Sequence, residues 1–125
     1  MRKKSIGIFD SGIGGLTVLK EIKALLPNYD YIYLGDNART PYGSRSFEVI
    51  FEYTLEAVKR LFELDCDLII LACNTASAKA LRTIQQTYLK DLEQEKRVLG
   101  VIRPSAEVIN SVTKNNHVGI FGTPG

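Results

Sequence analysis

Short apolar runs alternate with stretches of helical periodicity along most of this chain, and that alternation restricts the fold more than any other feature. Ser5-Ile6-Gly7-Ile8-Phe9, Tyr31-Ile32-Tyr33-Leu34, Asp67 to Ala72 and Val98 to Ile102 read as strands, with His117 to Phe121 as a fifth. Between them, Leu16, Leu19, Ile22, Leu25 and Leu26 recur at helical spacing until Pro27. Phe47, Ile50, Phe51, Leu55, Val58, Leu61 and Phe62 mark a long amphipathic helix. A third helix is expected from about Thr75 to Leu89, and a fourth with Pro104 in its first turn. Lys114-Asn115-Asn116 reads as a turn and Lys90 to Arg97 as a solvated linker. Strands and helices in this order predict an α/β fold: an open, mostly parallel sheet with helices on both faces and right-handed crossovers.

In such sheets ligands sit outside the carboxyl ends of the strands. Two segments occupy that position: Asp10-Ser11-Gly12-Ile13-Gly14-Gly15 after the first strand and Cys73-Asn74-Thr75 after the third. A thiol and a carboxylate-hydroxyl pair are thus expected at one cleft. A free cysteine is commonly just a small buried apolar residue. Cys73 differs because Asn74 and Thr75 suit a helix cap, and a helix N-terminus favours a thiolate. Cys66, between Asp65 and Asp67 at the far end of the same strand, reads as inert. Seven extended residues span roughly 23 Å, so Cys66 and Cys73 are out of disulfide reach.

The glycine loop also invites a nucleotide reading, with Asp36 as a ribose-binding acid. The dinucleotide fingerprint fails, since Gly12 and Gly14 are followed by Thr17 where a third glycine belongs, and the carboxylate of Asp10 would repel phosphate. No Gly-Lys-Ser/Thr follows the loop, no cluster has metal-ligand spacing, and no lysine stands in a recognisable pyridoxal context. His117 stands alone and reads as non-catalytic. Pro41-Tyr42-Gly43-Ser44 is a turn whose amide and hydroxyl groups suit a carboxylate.

With 125 residues the chain can bury a core, and 45% apolar, 24% charged and a net charge of +2 describe an ordinary globular composition. This balance gives no electrostatic reason to expect nucleic acid or membrane surfaces. Met1-Arg2-Lys3-Lys4 has the basic character of an export signal, but Asp10 arrives too soon for its apolar region. Free thiols and the missing signal lead to an expectation of the cytoplasm. Gly122-Thr123-Pro124-Gly125 leaves a strand without its covering helix. The last strand is therefore expected to pair elsewhere or to continue into a longer protein.

Phe9-Asp10-Ser11-Gly12-Ile13-Gly14-Gly15-Leu16, the Asp36 to Gly43 loop with Pro41-Tyr42-Gly43, and Ala72-Cys73-Asn74-Thr75-Ala76 together resemble the glutamate racemases. Val118-Gly119-Ile120-Phe121-Gly122-Thr123 looks like the family's entry to its second lobe. The resemblance implies a three-layer, flavodoxin-like lobe over residues 1–103, with 104–125 beginning an incomplete second lobe. It implies a cofactor-independent isomerase that supplies D-glutamate for peptidoglycan. Cys73 is then one of two proton-exchanging cysteines and Asp10 supports acid-base work near the substrate amine. Ser11, Tyr42, Gly43, Asn74 and Thr75 hold the amino acid's polar groups. The family's second cysteine belongs beyond residue 125, so the chain alone is expected to be inactive. Competing readings are a small-ligand or nucleotide-binding domain and an interaction half-domain without catalysis. Self-association through the C-terminal segment is a further expectation.

Overall fold

The apolar run Leu68-Ile69-Ile70-Leu71 has no polar alternation, as expected of a strand covered on both faces, and it lies inside the sheet. A computed structural model describes residues 4–92 and 94–124. The first three residues of the basic start, one position of the polar 90–97 stretch and the final glycine lie outside the described residues. The elements are β1 (Ser5–Asp10), α1 (Gly15–Leu25), β2 (Asp30–Gly35), α2 (Phe47–Glu63), β3 (Cys66–Leu71), α3 (Asn74–Lys79), α4 (Leu81–Gln86), β4 (Arg97–Gly100) and α5 (Ile102–Val112). All strand pairs are parallel, in the order β2-β1-β3-β4. The chain moves to one side of β1 for β2 and to the other for β3, so the topological switch falls between β1 and β3.

Register sorts the side chains into two layers. Ile69 pairs with Gly7 and Val98, and Leu71 with Phe9. Ile69, Val98, Leu71 and Phe9 join Ile50, Val58, Leu61 and Phe62 of α2, Ala76 of α3, Ile84 of α4, and Ala80 between the two short helices, in one buried cluster. Ser46 caps α2, its hydroxyl accepting from the Val49 N–H at 3.3 Å, a contact worth about 1 kcal/mol. The opposite parity, Ile8 opposite Ile70 and Ile70 opposite Leu99, looks away from α2. There α1 covers Ile6 and Ile8, which are buried, while Leu99 stays half exposed. A groove of about 610 Å³ separates α1 from α5 above Ile70 and Leu99.

Three sequence expectations are corrected. His117 to Phe121 forms no strand: Val118, Ile120 and Phe121 are exposed, and β-propensity acts only where a pleated surface is paired and half buried. The fourth strand ends at Gly100, because Val101 already serves α5, its carbonyl accepting from the Ser105 hydroxyl at 2.7 Å. The helix expected from Thr75 to Leu89 is two short ones that meet at the buried Ala80. The turn at 114–116 is present, closed by the Asn115 side chain accepting from the His117 N–H at 3.0 Å.

Leu61 is wholly buried between α2 and the sheet, whereas Phe121 touches water on all sides. Leu61→Ala is expected to cost about 2–5 kcal/mol and Phe121→Ala less than about 0.5 kcal/mol. Urea unfolding followed by circular dichroism checks the difference.

Candidate active site

β1 ends at Asp10, and the chain leaves the sheet through a glycine loop into α1. Asp10 is buried, and its Oδ2 accepts from the Gly15 N–H at 2.9 Å and the Gly12 N–H at 3.3 Å. The carboxylate therefore closes the loop on itself and caps the first residue of α1. Gly15 is required here by close approach. A Cβ on it would lie 2.7 Å from the Asp10 Cβ and 3.1 Å from the Tyr33 hydroxyl. The loop leaves Ser11 half buried on the side of β3.

Cys73 stands two residues beyond the end of β3, on the strand adjacent to β1. Its thiol donates to Ser11 Oγ at 3.6 Å and its sulfur accepts from the Ala76 N–H at 3.4 Å. The fold thus brings together the thiol and the hydroxyl that the sequence places 62 residues apart. Cys73 itself is the N-cap of α3, whereas Asn74 and Thr75, expected as caps, are the first two helical residues. Asn74 is exposed and Thr75 half buried.

The loop between β2 and α2 forms a third side. Asp36 Oδ2 accepts from Arg39 Nε at 2.7 Å and from the Tyr42 hydroxyl. Arg39 also donates to Glu56 at 2.7 Å and lies 3.8 Å over the Tyr53 ring. Tyr42 is buried against Phe9 and Tyr53. Burial and the Asp36 carboxylate hold its phenol well above the ordinary range, and the proton stays on the bond to Asp36. With the residue buried and its hydroxyl proton given to Asp36, Tyr42 has no side-chain donor left for a ligand. Gly43 is covered by Thr123, and a Cβ on Gly43 would lie 2.6 Å from the Thr123 methyl carbon. The C-terminal segment therefore folds over this turn.

These contacts weigh against the nucleotide reading. The Gly12 and Gly15 amides that would cradle phosphate already serve Asp10, and Asp36, offered for a ribose, serves Arg39 and Tyr42. Cys66 is fully buried at the opposite end of β3, where burial and the Asp65 and Asp67 carboxylates push its thiol up. His117 is exposed in the irregular C-terminal segment. The groove between α1 and α5 is lined by Val18, Ile22, Ile70, Leu99 and their neighbours, and by none of Asp10, Ser11 or Cys73.

No family model matches the chain. The glutamate racemase of Geobacter metallireducens is 51% identical over 122 residues, which is 98% of this chain and 43% of that protein. The structure of glutamate racemase from Aquifex pyrophilus superposes with a TM-score of 0.85 at 45% identity, over 96% of this chain and 45% of that one. The chain matches the N-terminal part of the glutamate racemases. It spans less than half the length of these relatives. The Francisella tularensis glutamate racemase, solved in complex with D-glutamate, aligns with a TM-score of 0.76 at 38% identity, over 88% of this chain and 40% of that one.

The site also has supports that the sequence motifs do not point to. Tyr33, Arg39, Tyr53 and Glu56 belong to no motif in the sequence, yet they fix the loops that carry Asp10, Ser11, Tyr42 and Gly43. The one available signal was parity: Tyr33 pairs with Ile8 and so shares a face with Asp10, two residues on.

Brief iodoacetamide treatment at neutral pH, followed by mass-spectrometric mapping, is expected to label Cys73 before Cys66. Cys73 is itself buried, with 6% of its surface exposed against 0% for Cys66, and labelling of Cys66 first would contradict the reading of Cys73 as the more accessible thiol. Gly43→Ala is expected to displace Thr123 and to raise amide exchange over residues 118–124, measured by hydrogen-deuterium exchange, while leaving α2 protected.

Proposed function

We propose that this chain is the first lobe of a glutamate racemase, with residues 1–103 forming the lobe, 104–125 beginning the second, and α5 crossing the join. The observation that carries the reading is the meeting of Cys73 with Ser11, 3.6 Å apart at the switch between β1 and β3. Inverting an α-carbon needs a base on one face and an acid on the other, each within hydrogen-bond reach. In this reading the Cys73 thiolate takes the α-proton of one enantiomer, and the C–H electron pair stays on the carbon, spread into the adjacent carboxylate. An acid on the opposite face returns a proton, and Cys73 gives up its own when the direction reverses. In this reading Asp10 stabilises the substrate ammonium, while Ser11, Asn74, Thr75 and the backbone of Tyr42 and Gly43 hold the remaining polar groups.

The opposite-face acid is the second cysteine that the family resemblance implies. Cys66 does not fill that role from the far end of β3. The proposal invokes no cofactor and places the product, D-glutamate, in peptidoglycan synthesis. That the Francisella tularensis relative was solved with D-glutamate supports the choice of substrate. The two free thiols favour a reducing compartment, and we place the protein in the cytoplasm. Among the described residues no helix is long and apolar enough to cross a membrane. Val108, Val112, Val118, Ile120 and Phe121 are exposed together near the C-terminus, and we propose that the chain self-associates through them.

The isolated chain is expected to leave the optical activity of L-glutamate unchanged, followed by circular dichroism. It is also expected to be stabilised thermally by D-glutamate and not by ATP or NAD. Racemisation that disappears in Cys73→Ser would contradict the one-base account. Stabilisation by a nucleotide alone would overturn the choice of ligand. Light scattering over a concentration series is expected to show oligomers that a chain ending at Arg103 does not form.

A further inference from the structure

Tyr33 has no place in the chemistry described so far, yet its hydroxyl sits at the hinge of the glycine loop. It projects from β2, on the sheet face that carries Asp10, and donates to the Gly12 carbonyl at 2.6 Å. The same hydroxyl lies against Gly15, where an added Cβ would come within 3.1 Å of it. One side chain on the neighbouring strand therefore touches both ends of the segment whose amides hold the Asp10 carboxylate. Ser11 is the residue immediately before the gripped carbonyl, and its Oγ meets the Cys73 thiol.

We propose that Tyr33 is a positioning residue of this site, which holds the glycine loop so that Ser11 stays in contact with Cys73. The inference rests on the reading of Ser11 and Cys73 as the reacting edge. The chemistry follows from the hydroxyl's two roles. A serine hydroxyl both accepts and donates, so it accepts from the Cys73 thiol and turns to donate once the proton has left. That donation steadies the thiolate, the nucleophilic form of cysteine. It depends on a separation already at the long end for a sulfur contact, so a small drift of the loop removes it. Burial, and next the Asp10 charge, push the Tyr33 phenol up, which keeps the hydroxyl protonated and able to donate.

The test is the iodoacetamide rate of Cys73 in the full chain, with Cys66 as internal reference. Tyr33→Phe, Ser11→Ala and the double variant are compared with the unaltered protein. Loss of one hydrogen bond to the thiolate is expected to slow Cys73 by about two- to tenfold in each single variant. The Cys66 rate should not change, and the double variant should be no slower than Ser11→Ala. A Cys73 rate unaltered by Tyr33→Phe would overturn the proposal. Equal changes at both cysteines would also do so, because general loosening of the fold affects both, as would a double variant whose effect is the product of the two singles. Should Tyr33→Phe fail to fold by circular dichroism, proton NMR of the unaltered chain decides. A slowly exchanging Tyr33 hydroxyl proton with cross-peaks to Gly12 and Gly15 is expected, and its absence from that contact would refute the grip. None of these readouts requires glutamate, so a chain that fails to bind glutamate would weaken the substrate assignment without altering this result.

Discussion

The parallel pairing of β1 with β3 is the interaction on which the rest depends. Phe9 lies opposite Leu71, and the ladder extends one step further where the Ala72 N–H donates to the Phe9 carbonyl at 2.7 Å. On the other side of β1, the Asp36 N–H donates to the Asp10 carbonyl at 3.0 Å. β2, β1 and β3 therefore end at one level, and the residues that follow them have no choice of height. Asp10 and Ser11, Asp36, and Cys73 come to the same edge because the sheet is in register. A slip of one residue in any pair would turn the side chains to the opposite face. This is why a cluster drawn from separate parts of the sequence needs no long-range contact among its own members to assemble.

Most polar groups at this edge hold one another and leave few free for a ligand. Asp10 is bound by the glycine loop, Asp36 by Arg39 and Tyr42, and Arg39 by Glu56 and the Tyr53 ring. A site built this way keeps its geometry without substrate, because each loop is tied by side chains that are themselves tied. What stays available is the Ser11 hydroxyl, the small exposed part of the Cys73 thiol and the exposed start of α3, while Thr123 covers the Tyr42–Gly43 turn. Those are groups suited to a small zwitterion with carboxylates, and they agree with the match to glutamate racemases over nearly the whole chain.

The sequence made the scaffold legible because the buried strands and the stripe of α2 are repeated signals, each supported by several residues. Cys73 and Asp10-Ser11 could be placed because each directly follows such a strand. The supporting contacts were not legible. That Tyr33 reaches Gly12 depends on the offset between β2 and β1, and that Tyr42 spends its hydroxyl on Asp36 depends on how one loop closes. The expected fifth strand failed for a related reason. Val118, Ile120 and Phe121 have the residue types of a strand, but strand formation requires a partner edge and a covered face, and these side chains are exposed instead. The helix cap at Cys73 was expected from Asn74 or Thr75, and the sulfur took that role because it already sits at the end of the preceding strand.

The central claim is that one edge of the sheet, at the switch between β1 and β3, is where an amino acid binds. The most direct measurement is a titration of the isotope-labelled chain with D-glutamate, followed through its backbone amide resonances. The account predicts shifts concentrated at Ser11, Gly12, Gly43, Asn74 and Thr75, with little change at Val18, Leu99 or Ser105 in the groove between α1 and α5. Shifts centred on that groove, with the five site amides unmoved, would contradict it.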